Sequence, residues 1–400
     1  MATIPSIALI PSGVKAGKIY SVLPTDGSGD FTFDRGNGTS TRINQQKLIE
    51  SVSNDVPRLD YGGGDCPSLL LEPSRANLLP YSTLDFNGGA SPNGWSIGFQ
   101  SGTFSYEQLS YKGQKAVKQT QTTAGRSYLD SGTISLLANT IHTLKIQFIL
   151  SETVLQPTDV VANIFKSSGN ITYRLSDLNA DGLLEAQFDS VASTSLTLRV
   201  GIGSSGTASG GTSVAWAIPQ LEAGFYASSF IPTSGSTQTR QSETASKTGI
   251  SSLINSSEGV LYVETKGFVD QNSTNGYIAL EKGADTGFGN SLVIQHRTNG
   301  QLRIYANGFD NPNIHFLENI DFSQNHKIAV LYKLNGYKLF VDGVAKSLYG
   351  TPVQTVFSGL DSLSFNLRGS SSLRWEGAVK DARLFKTTLS DAELQTLTTI

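Results

Sequence analysis

Apolar and polar residues alternate along much of this chain with a period of two, which predicts β-strands. The clearest example is the run IHTLKIQFIL, whose large apolar side chains are expected in a core: Ile141, Leu144, Ile146, Phe148 and Leu150. The runs SLTLRVGIG and TSVAWAIPQLE alternate in a similar way, and turn residues recur between these runs. This pattern is typical of an antiparallel sandwich.

Two stretches in the last third of the chain predict β-hairpins. In HKIAVLYKLNGYKLFVDG, the pair Asn335-Gly336 suits a two-residue type I′ loop, because both positions tolerate positive φ. That loop predicts a register in which the facing pairs share one side of the hairpin: Leu334 with Tyr337, Tyr332 with Leu339, and Val330 with Val341. The second stretch, SLVIQHRTNGQLRIYANG, is expected to turn at Asn299-Gly300.

The tail LSDAELQTL carries the one good helix signal of the chain. Ser390 is expected to cap the helix N-terminus, and Glu393 completes a capping box by reaching back to it. Leu389 precedes the cap and is expected to pack on Leu394 as a hydrophobic staple. The sequence therefore predicts a short C-terminal helix.

Composition agrees with a β-rich chain that is divided into several units. Only 16% of the residues are charged, glycine occurs 41 times, and 400 residues exceed one ordinary domain. We predict an all-β fold with two antiparallel β-sandwich (jelly-roll) domains in tandem, at residues 76–240 and 241–400. A mostly irregular N-terminal segment, residues 1–75, precedes them, and QSETASKTG is predicted to be the linker between the sandwiches.

The N-terminal segment contains few large apolar side chains, so burial inside it offsets little chain entropy. Its last part, CPSLLLEP, places Leu69, Leu70 and Leu71 between two prolines, which favours a short strand or strap. We expect these leucines to form an interface, either with the first sandwich or between subunits. Cys66, the single cysteine, cannot form an internal disulfide and is interpreted as a small buried spacer.

Three groups of sequence phrases resemble known proteins. EGVLYVETKGF, HKIAVLYKLNGYKLFVDG and EGAVKDARLFKTTLSDAELQTL resemble the concanavalin A-like (laminin-G-like) lectin/glucanase sandwich. NLLPYS, NGW and WAIPQLEAGFYASSFIPTSGSTQTR are similar to the jelly-roll, carbohydrate-module-like domain of tailed-phage structural proteins. PSGVKAGKIYSVLPTDGSGDFTFDRG and CPSLLLEPSRANLL are similar to the N-terminal segments of those phage proteins. The resemblance covers most of the chain and implies a virion component of the fibre, spike or decoration type.

This resemblance sets the expected function. It implies a non-enzymatic structural protein of a bacteriophage virion, attached to capsid or tail through residues 1–75 and displaying lectin-like sandwiches. The expected partners are other virion proteins and further copies of the chain, with a trimer favoured. Host-surface polysaccharide is a further expected partner, so the alternatives are a glycan-binding adhesin as the main role and a polysaccharide depolymerase.

Catalytic chemistry is not expected. The glucanases that this sandwich resembles carry paired acids in Glu-x-Asp-x-x-Glu or Glu-x-Asp-x-Glu patterns, which place carboxylates on both sides of a glycosidic bond. No such triplet occurs here, and Glu258 with Glu264, or Glu376 with Asp381, lack the spacing. We therefore predict no catalytic residues and no enzymatic activity.

A candidate metal site lies in DLNADG. Asp177, Asn179 and Asp181, followed by Gly182, match the first half of a calcium loop, in which alternate oxygens surround the ion. The position of the bidentate acid is occupied by Phe188 and the flanks are strand-like, so an ordinary hairpin turn is the alternative. No other cofactor is expected.

Sugar binding needs exposed aromatic rings with polar neighbours. Trp95 in SPNGWS, Trp375 in SSLRWEGAV and Tyr305 near a predicted loop are the candidate platforms, and ordinary core or rim positions are the alternative for each.

Charge and targeting signals restrict the location. The net charge of −3 gives no electrostatic reason to expect nucleic acid, and no apolar run is long enough to insert into a membrane. The N-terminus MATIPSIALIPSG lacks the basic residues of a secretory signal. We expect synthesis in a bacterial cytoplasm without a signal peptide, followed by incorporation into a virion.

Overall fold

The computed structural model confirms the all-β prediction. It describes residues 3–36, 38–98, 101–202, 210–267, 276–283, 290–297, 299–306, 313–350, 357–367 and 373–400. Strands run through all of these parts, and the α-helix among the described residues is the C-terminal one predicted from its capping box. This helix is too short to cross a membrane.

The N-terminal segment contains short strands. They are β1 (Ile7–Leu9), β2 (Val14–Lys15), β3 (Lys18–Ile19), β4 (Phe31–Asp34), β5 (Ser40–Ile43), β6 (Ile49–Val52), β7 (Arg58–Asp60), β8 (Ser68–Leu71) and β9 (Arg75–Asn77).

The middle of the chain contains longer strands. They are β10 (Trp95–Ile97), β11 (Phe104–Tyr111), β12 (Gln114–Gln121), β13 (Ser127–Ser131), β14 (Ile134–Ser135), β15 (Ile141–Phe148), β16 (Val160–Lys166), β17 (Ile171–Arg174), β18 (Leu183–Asp189), β19 (Ser195–Ile202) and β20 (Thr212–Ala223). Two 3₁₀ turns interrupt them, at Leu150–Glu152 and Leu175–Asp177.

The last part of the chain completes the fold after a 3₁₀ turn at Ser251–Leu253. Its elements are β21 (Gln238–Arg240), β22 (Thr244–Lys247), β23 (Glu258–Gly267), β24 (Gly276–Glu281), β25 (Ser291–His296), β26 (Gln301–Ala306), β27 (Asn313–Asn319), β28 (His326–Lys333), β29 (Lys338–Val341), β30 (Val344–Lys346), β31 (Ser362–Ser364), β32 (Gly377–Phe385) and helix α1 (Asp391–Thr398).

The middle strands form the first sandwich. A six-stranded sheet in the order β10-β13-β19-β16-β17, with β14 beside β19, packs on a five-stranded sheet in the order β11-β12-β20-β15-β18. Both sheets contribute to one core, in which Trp95 and Trp216 meet edge to face with centroids 5.0 Å apart. Within the run predicted from alternation, Leu144, Ile146 and Phe148 are buried in this core, whereas Leu150 is 44% exposed because the strand ends before it.

The second sandwich is built from both ends of the chain. An eight-stranded sheet in the order β30-β29-β28-β23-β32-β8-β7, with β1 also beside β32, faces a nine-stranded sheet in the order β2-β3-β4-β22-β31-β24-β25-β26-β27. Ile7, Phe31, Phe33 and Leu69 from the N-terminal segment lie in its core. Strands β1–β4, β7 and β8 are therefore part of the second sandwich, whereas β5 and β6 form a two-stranded sheet of their own. The predicted boundary at residue 75 does not separate two structural units.

The same pairing corrects the predicted linker. Thr244–Lys247, inside QSETASKTG, form β22 between β4 and β31 of the nine-stranded sheet. The stretch is polar on its exposed side and contributes only Ala245 to the core, so its sequence shows no apolar periodicity. Strand pairing with distant segments, which local sequence does not reveal, determines its conformation.

The leucine strap is also placed differently from the prediction. Leu69 and Leu71 are fully buried in the core of the second sandwich, and β8 pairs with β32 and β7. Leu70, on the opposite face of β8, is half-buried. The strap is thus an internal strand of the second sandwich. Cys66 is exposed, so its interpretation as a buried spacer is wrong.

The hairpins confirm the predicted faces and correct one register. Val330 pairs with Leu339 and not with Val341, because the chain turns one residue earlier than predicted. The Gly336 N–H donates to the Lys333 carbonyl at 3.1 Å, so Leu334 and Asn335 occupy the turn. A shift of two residues preserves the alternation, so Val330, Leu339 and Val341 still face the core, while Leu334 is 54% exposed. The second hairpin, β25–β26, is confirmed.

Helix α1 has the predicted caps. Ser390 accepts a hydrogen bond from the Glu393 backbone N–H, and the Glu393 carboxylate accepts one from the Ser390 N–H at 2.8 Å. Leu389 and Leu394 are buried together in a small cluster on the outer face of the eight-stranded sheet, as expected for the staple.

Candidate functional site

A cleft of about 690 Å³ lies where the N-terminal segment meets the first sandwich. Its floor is the outer face of the five-stranded sheet, including Lys145 and Gln147 of β15 and Leu183 of β18. The two-stranded β5–β6 hairpin forms one wall, and residues 227–230 form another. The size falls within the range of small-molecule sites in proteins.

A β-bulge shapes the floor. Strand β20 is central in its sheet, and its register against β15 shifts between Lys145 and Gln147, opposite Ile218-Pro219. Proline cannot donate a ladder hydrogen bond, so a bulge is the position in a central strand that tolerates it. Ile218 has φ +45°, a strained value for a β-branched residue, and lines the cleft. The bulge thus directs the Ile218 side chain outward, toward the hairpin.

The β5–β6 hairpin is fixed to the first sandwich at the turn between β11 and β12. The Ile49 N–H donates to the Lys112 carbonyl at 2.9 Å, and Gln114 Nε2 donates to the Ile49 carbonyl at 2.9 Å. Ile49, Ile218 and Phe230 form a small apolar cluster beneath these bonds. The hairpin wall is therefore held by hydrogen bonds and by burial.

The remaining wall carries an aromatic ring and several polar groups. Tyr111 is half-buried at the end of β11, and Lys112 Nζ lies 5.3 Å from its ring centroid. Asp181 lies across the floor, where Gln147 Nε2 donates to its backbone carbonyl at 2.7 Å. Within the described part of the chain, the Lys145 ammonium and the Asp181 carboxylate have no side-chain partner. The cleft therefore offers a ring, a free cation and a free anion.

The inner end of the cleft borders a buried network of charges. Glu72 and Ser229 line the cleft, and behind them Arg58 Nη1 contacts Glu72 Oε2 at 2.7 Å. Arg240 Nη1 lies 3.1 Å from the same Glu72 oxygen. Burial opposes ionisation of Glu72, but Arg240 and Arg58 outweigh it and lower its pKa to about 2. Glu72 is thus a permanent carboxylate at neutral pH.

The network continues to the second sandwich. Glu243 accepts from Arg58 Nε at 2.7 Å, from Arg35 Nη1 at 3.2 Å and from the Glu72 N–H at 2.9 Å. Its side chain, like those of Arg35 and Arg58, has no exposed surface. These residues come from the N-terminal segment and from the link between the sandwiches, so the network joins the parts of the chain that meet at the cleft.

The predicted calcium ligands are only partly brought together. Asp177 Oδ2 accepts from the Arg174 N–H at 2.7 Å and closes a 3₁₀ turn away from the cleft. Asn179 Oδ1 accepts from the N–H groups of Asp181 and Leu183, at 3.0 and 2.9 Å, as in a polar hairpin turn. Among the described residues no group of three or more His, Cys, Asp or Glu side chains is arranged to hold a metal.

The predicted sugar platforms are all in the interior. Trp95 is 4% exposed in β10 and donates its Nε1–H to the Tyr81 carbonyl at 2.9 Å. Trp375 and Tyr305 are fully buried, and Trp375 packs on Phe322 with centroids 6.0 Å apart. None of the three candidate rings offers a face to solvent, because the loops predicted around them are strands or core-packed segments. The prediction that these three rings are exposed platforms is therefore wrong.

Three of the site residues predicted from the sequence, Leu70, Asn179 and Asp181, line the cleft, but sequence reasoning missed its other lining residues. Tyr111 and Lys145 occupy ordinary alternating positions of two strands, and nothing local distinguishes them from other surface residues. One signal was present, because Pro219 inside the strand run TSVAWAIPQLE indicates a bulge. A bulge in a central strand is a feature that often borders functional sites.

Comparisons with solved structures give weak likenesses. No protein-family model matches the chain, and no curated protein matches it. The carbohydrate-binding module CBM40 of the Ruminococcus gnavus IT-sialidase, bound to α2,3-sialyllactose, is 15% identical with a TM-score of 0.31, covering 36% of this chain and 84% of the module. The tandem CBM22 domains of Paenibacillus barcinonensis Xyn10C are 12% identical with a TM-score of 0.25, covering 79% of this chain and 99% of theirs. Mouse laminin α1 LG4-5 is 10% identical with a TM-score of 0.25, covering 63% and 84%. At these TM-scores no property of these proteins is transferred to the chain.

Proposed function

We propose that this chain is a non-enzymatic, glycan-binding structural protein, and that its ligand occupies the cleft between the β5–β6 hairpin and the first sandwich. The observation that carries the proposal is the combination of groups in this cleft. Tyr111 supplies a ring on which the C–H face of a sugar can pack, and Lys145 and Asp181 supply an unpartnered donor and acceptor for hydroxyls.

The buried acid of the cleft, Glu72, supports binding rather than hydrolysis. A glycosidase needs a carboxylic acid whose pKa is raised so that it can protonate the leaving oxygen. The pKa of Glu72 is lowered to about 2, so Glu72 does not meet this requirement. Incubation with host capsule and a reducing-sugar assay tests this part, and released reducing ends would favour the depolymerase alternative.

A binding experiment tests the site. We expect Tyr111→Ala and Lys145→Ala each to weaken binding to the best polysaccharide of a glycan array at least tenfold. The matched control is Tyr20→Ala, because Tyr20 is also a partly exposed tyrosine with a lysine, Lys18, 5.1 Å from its ring centroid, but lies outside the cleft. Equal binding by the cleft variants and the control would place the ligand elsewhere, and a blank array would count against glycan binding.

The particle to which the protein belongs is proposed from the sequence resemblance. The phrases shared with tailed-phage structural proteins support a fibre, spike or decoration protein that adheres to host-surface polysaccharide, assembled as a homo-oligomer, with a trimer favoured, on capsid or tail. Because β1, β4 and β8 are built into the second sandwich, docking through a free N-terminal segment is not part of this proposal. Mass spectrometry of purified virions tests it, and absence of the chain from them would refute it.

A further inference from the structure

A second polar surface lies on the opposite side of the first sandwich from the cleft. On the outer face of the six-stranded sheet, one side chain from each of five strands falls in a single row: Ser96, Asp130, Arg199, Asn163 and Thr172. Their sequence neighbours, among them Leu129, Leu198 and Ile164, point into the core, so alternation directs the row outward. We call this row the cross-strand row.

One member of the row is an unsatisfied buried group. Asn163 is 4% exposed and donates from Nδ2 to Thr172 Oγ1 at 2.8 Å, whereas its Oδ1 has no partner. A buried acceptor without a donor leaves the cost of its desolvation uncompensated, and native structures contain few such groups. Thr172, beside it, is exposed.

The other members are held rigidly and carry no net charge. Arg199 donates to both oxygens of Asp130, at 2.7 and 2.9 Å, and its guanidinium carbon lies 3.7 Å from the Tyr128 ring centroid and 4.6 Å from that of Phe165. The side chains of Arg199 and Asp130 remain 21% and 19% exposed. Donors and acceptors therefore stand side by side on a preorganised, neutral surface.

We infer that the cross-strand row is a second ligand site, which binds a neutral hydroxyl-rich ligand, that is, a saccharide. Hydroxyl groups both donate and accept, so one can donate to Asn163 Oδ1 while its neighbours bridge Asp130 and Arg199. The half-buried Phe165 ring offers an apolar edge for sugar C–H groups. The inference deepens the proposed function and rests on it, because it makes each chain bivalent for glycan, with sites on two opposite faces of one sandwich.

Affinity electrophoresis through gels containing dextran, galactomannan or hydroxyethylcellulose tests the second site. Four proteins are compared: the wild type, Tyr111→Ala, Asn163→Ala and the double variant. The comparison uses the gel that slows the wild type most. On this gel we expect each single variant to retain part of the retardation and the double variant to lose the retardation. The apparent dissociation constant of the double variant should be at least tenfold above that of Tyr111→Ala.

Asn163→Ala changes a buried residue and could weaken binding through a folding defect. Thr172→Val is a second variant of the same site that avoids this problem, since Thr172 is exposed and its hydroxyl accepts the Asn163 hydrogen bond. Thr32→Val, an exposed strand threonine of the second sandwich, is its control. In the Tyr111→Ala background we expect Thr172→Val to raise the dissociation constant about threefold and Thr32→Val to leave it unchanged. The second site is refuted, with the proposed function intact, if Tyr111→Ala alone abolishes retardation or if Asn163→Ala and Thr172→Val change nothing in that background. A wild type that no gel retards refutes both.

Discussion

Substitution of Glu243 by Gln should destabilise the whole chain, although the change is nearly isosteric. The Glu243 carboxylate lies in the buried charge network with no exposed surface and accepts hydrogen bonds from Arg58, Arg35 and the Glu72 backbone. The amide removes one negative charge and turns an NH₂ group toward a guanidinium. Arg58 then keeps Glu72 as its ion-pair partner among the described residues, and Arg35 loses the carboxylate of Glu243.

The size of the effect follows from burial. Removing one partner of a fully buried ion pair costs about 3–5 kcal/mol, because the remaining charge stays desolvated. The matched control is Glu50→Gln, whose carboxylate is 38% exposed and contacts Arg42 Nε at 2.7 Å on the surface of the β5–β6 hairpin. Exposed pairs contribute about 0–1 kcal/mol, so this variant should be close to wild type.

Urea unfolding at neutral pH, followed by tryptophan fluorescence and far-UV circular dichroism, measures the difference. We expect the Glu243→Gln midpoint to fall by an amount equivalent to 3–5 kcal/mol at constant slope, since the slope reports the surface exposed on unfolding. If Glu243→Gln destabilises no more than Glu50→Gln, the network is not a major source of stability and the reasoning is wrong.

Two further predictions concern protonation and metal. Burial lowers the pKa of His296 and His315 to about 4 from an ordinary 6.5, so the neutral rings stabilise the fold fully above pH 6.5 and the contribution is lost as the pH falls toward 4. At pH 5 each histidine should lower the free energy of unfolding by about 2 kcal/mol relative to pH 7. His315→Phe should therefore make the difference between the urea midpoints at pH 7 and pH 5 smaller. An unchanged difference would contradict the lowered pKa of His315. Because Asn179 Oδ1 and Asp177 Oδ2 already accept backbone hydrogen bonds, we expect a chelator to leave the melting temperature unchanged, and a fall that calcium restores would revive the metal site.

Local pattern predicted which residues form strands and which face of each strand is buried, but not which strands are neighbours. Alternation placed Val330, Tyr332 and Leu339 correctly in the core, yet the register of their hairpin was displaced by two residues. Period-two alternation does not distinguish registers that differ by two residues, since every side chain stays on the same face of the sheet. The turn decides the register, and its central residues are Leu334 and Asn335, one position before the predicted Asn335-Gly336.

The candidate site was harder to predict, because it forms where segments distant in sequence meet. Tyr111 belongs to β11, and Glu72 follows β8 of the other sandwich. The aromatic residues that looked suited to sugars were chosen from their loop-like sequence context. Trp375 shows why that criterion failed: tertiary packing on Phe322 and His296 buries the ring, and no local pattern reports that packing.

The integration of strands β1–β4, β7 and β8 into the second sandwich leads to a last prediction: residues 241–400 alone will not fold. Without the N-terminal segment, the core of this sandwich loses side chains that are at most 2% exposed, namely Ile7, Leu9, Ile19, Phe31, Phe33, Leu69 and Leu71. At about 1.5–3 kcal/mol for each buried side chain, the loss is about 10–20 kcal/mol, which exceeds the usual net stability of about 5–15 kcal/mol for a whole domain. Near-UV circular dichroism and urea unfolding of residues 241–400 should show no cooperative transition, and addition of residues 1–75 as a separate polypeptide should restore part of it. A cooperative transition of residues 241–400 alone would mean that the N-terminal strands only decorate a self-sufficient sandwich, and would again make that segment available for docking on a particle.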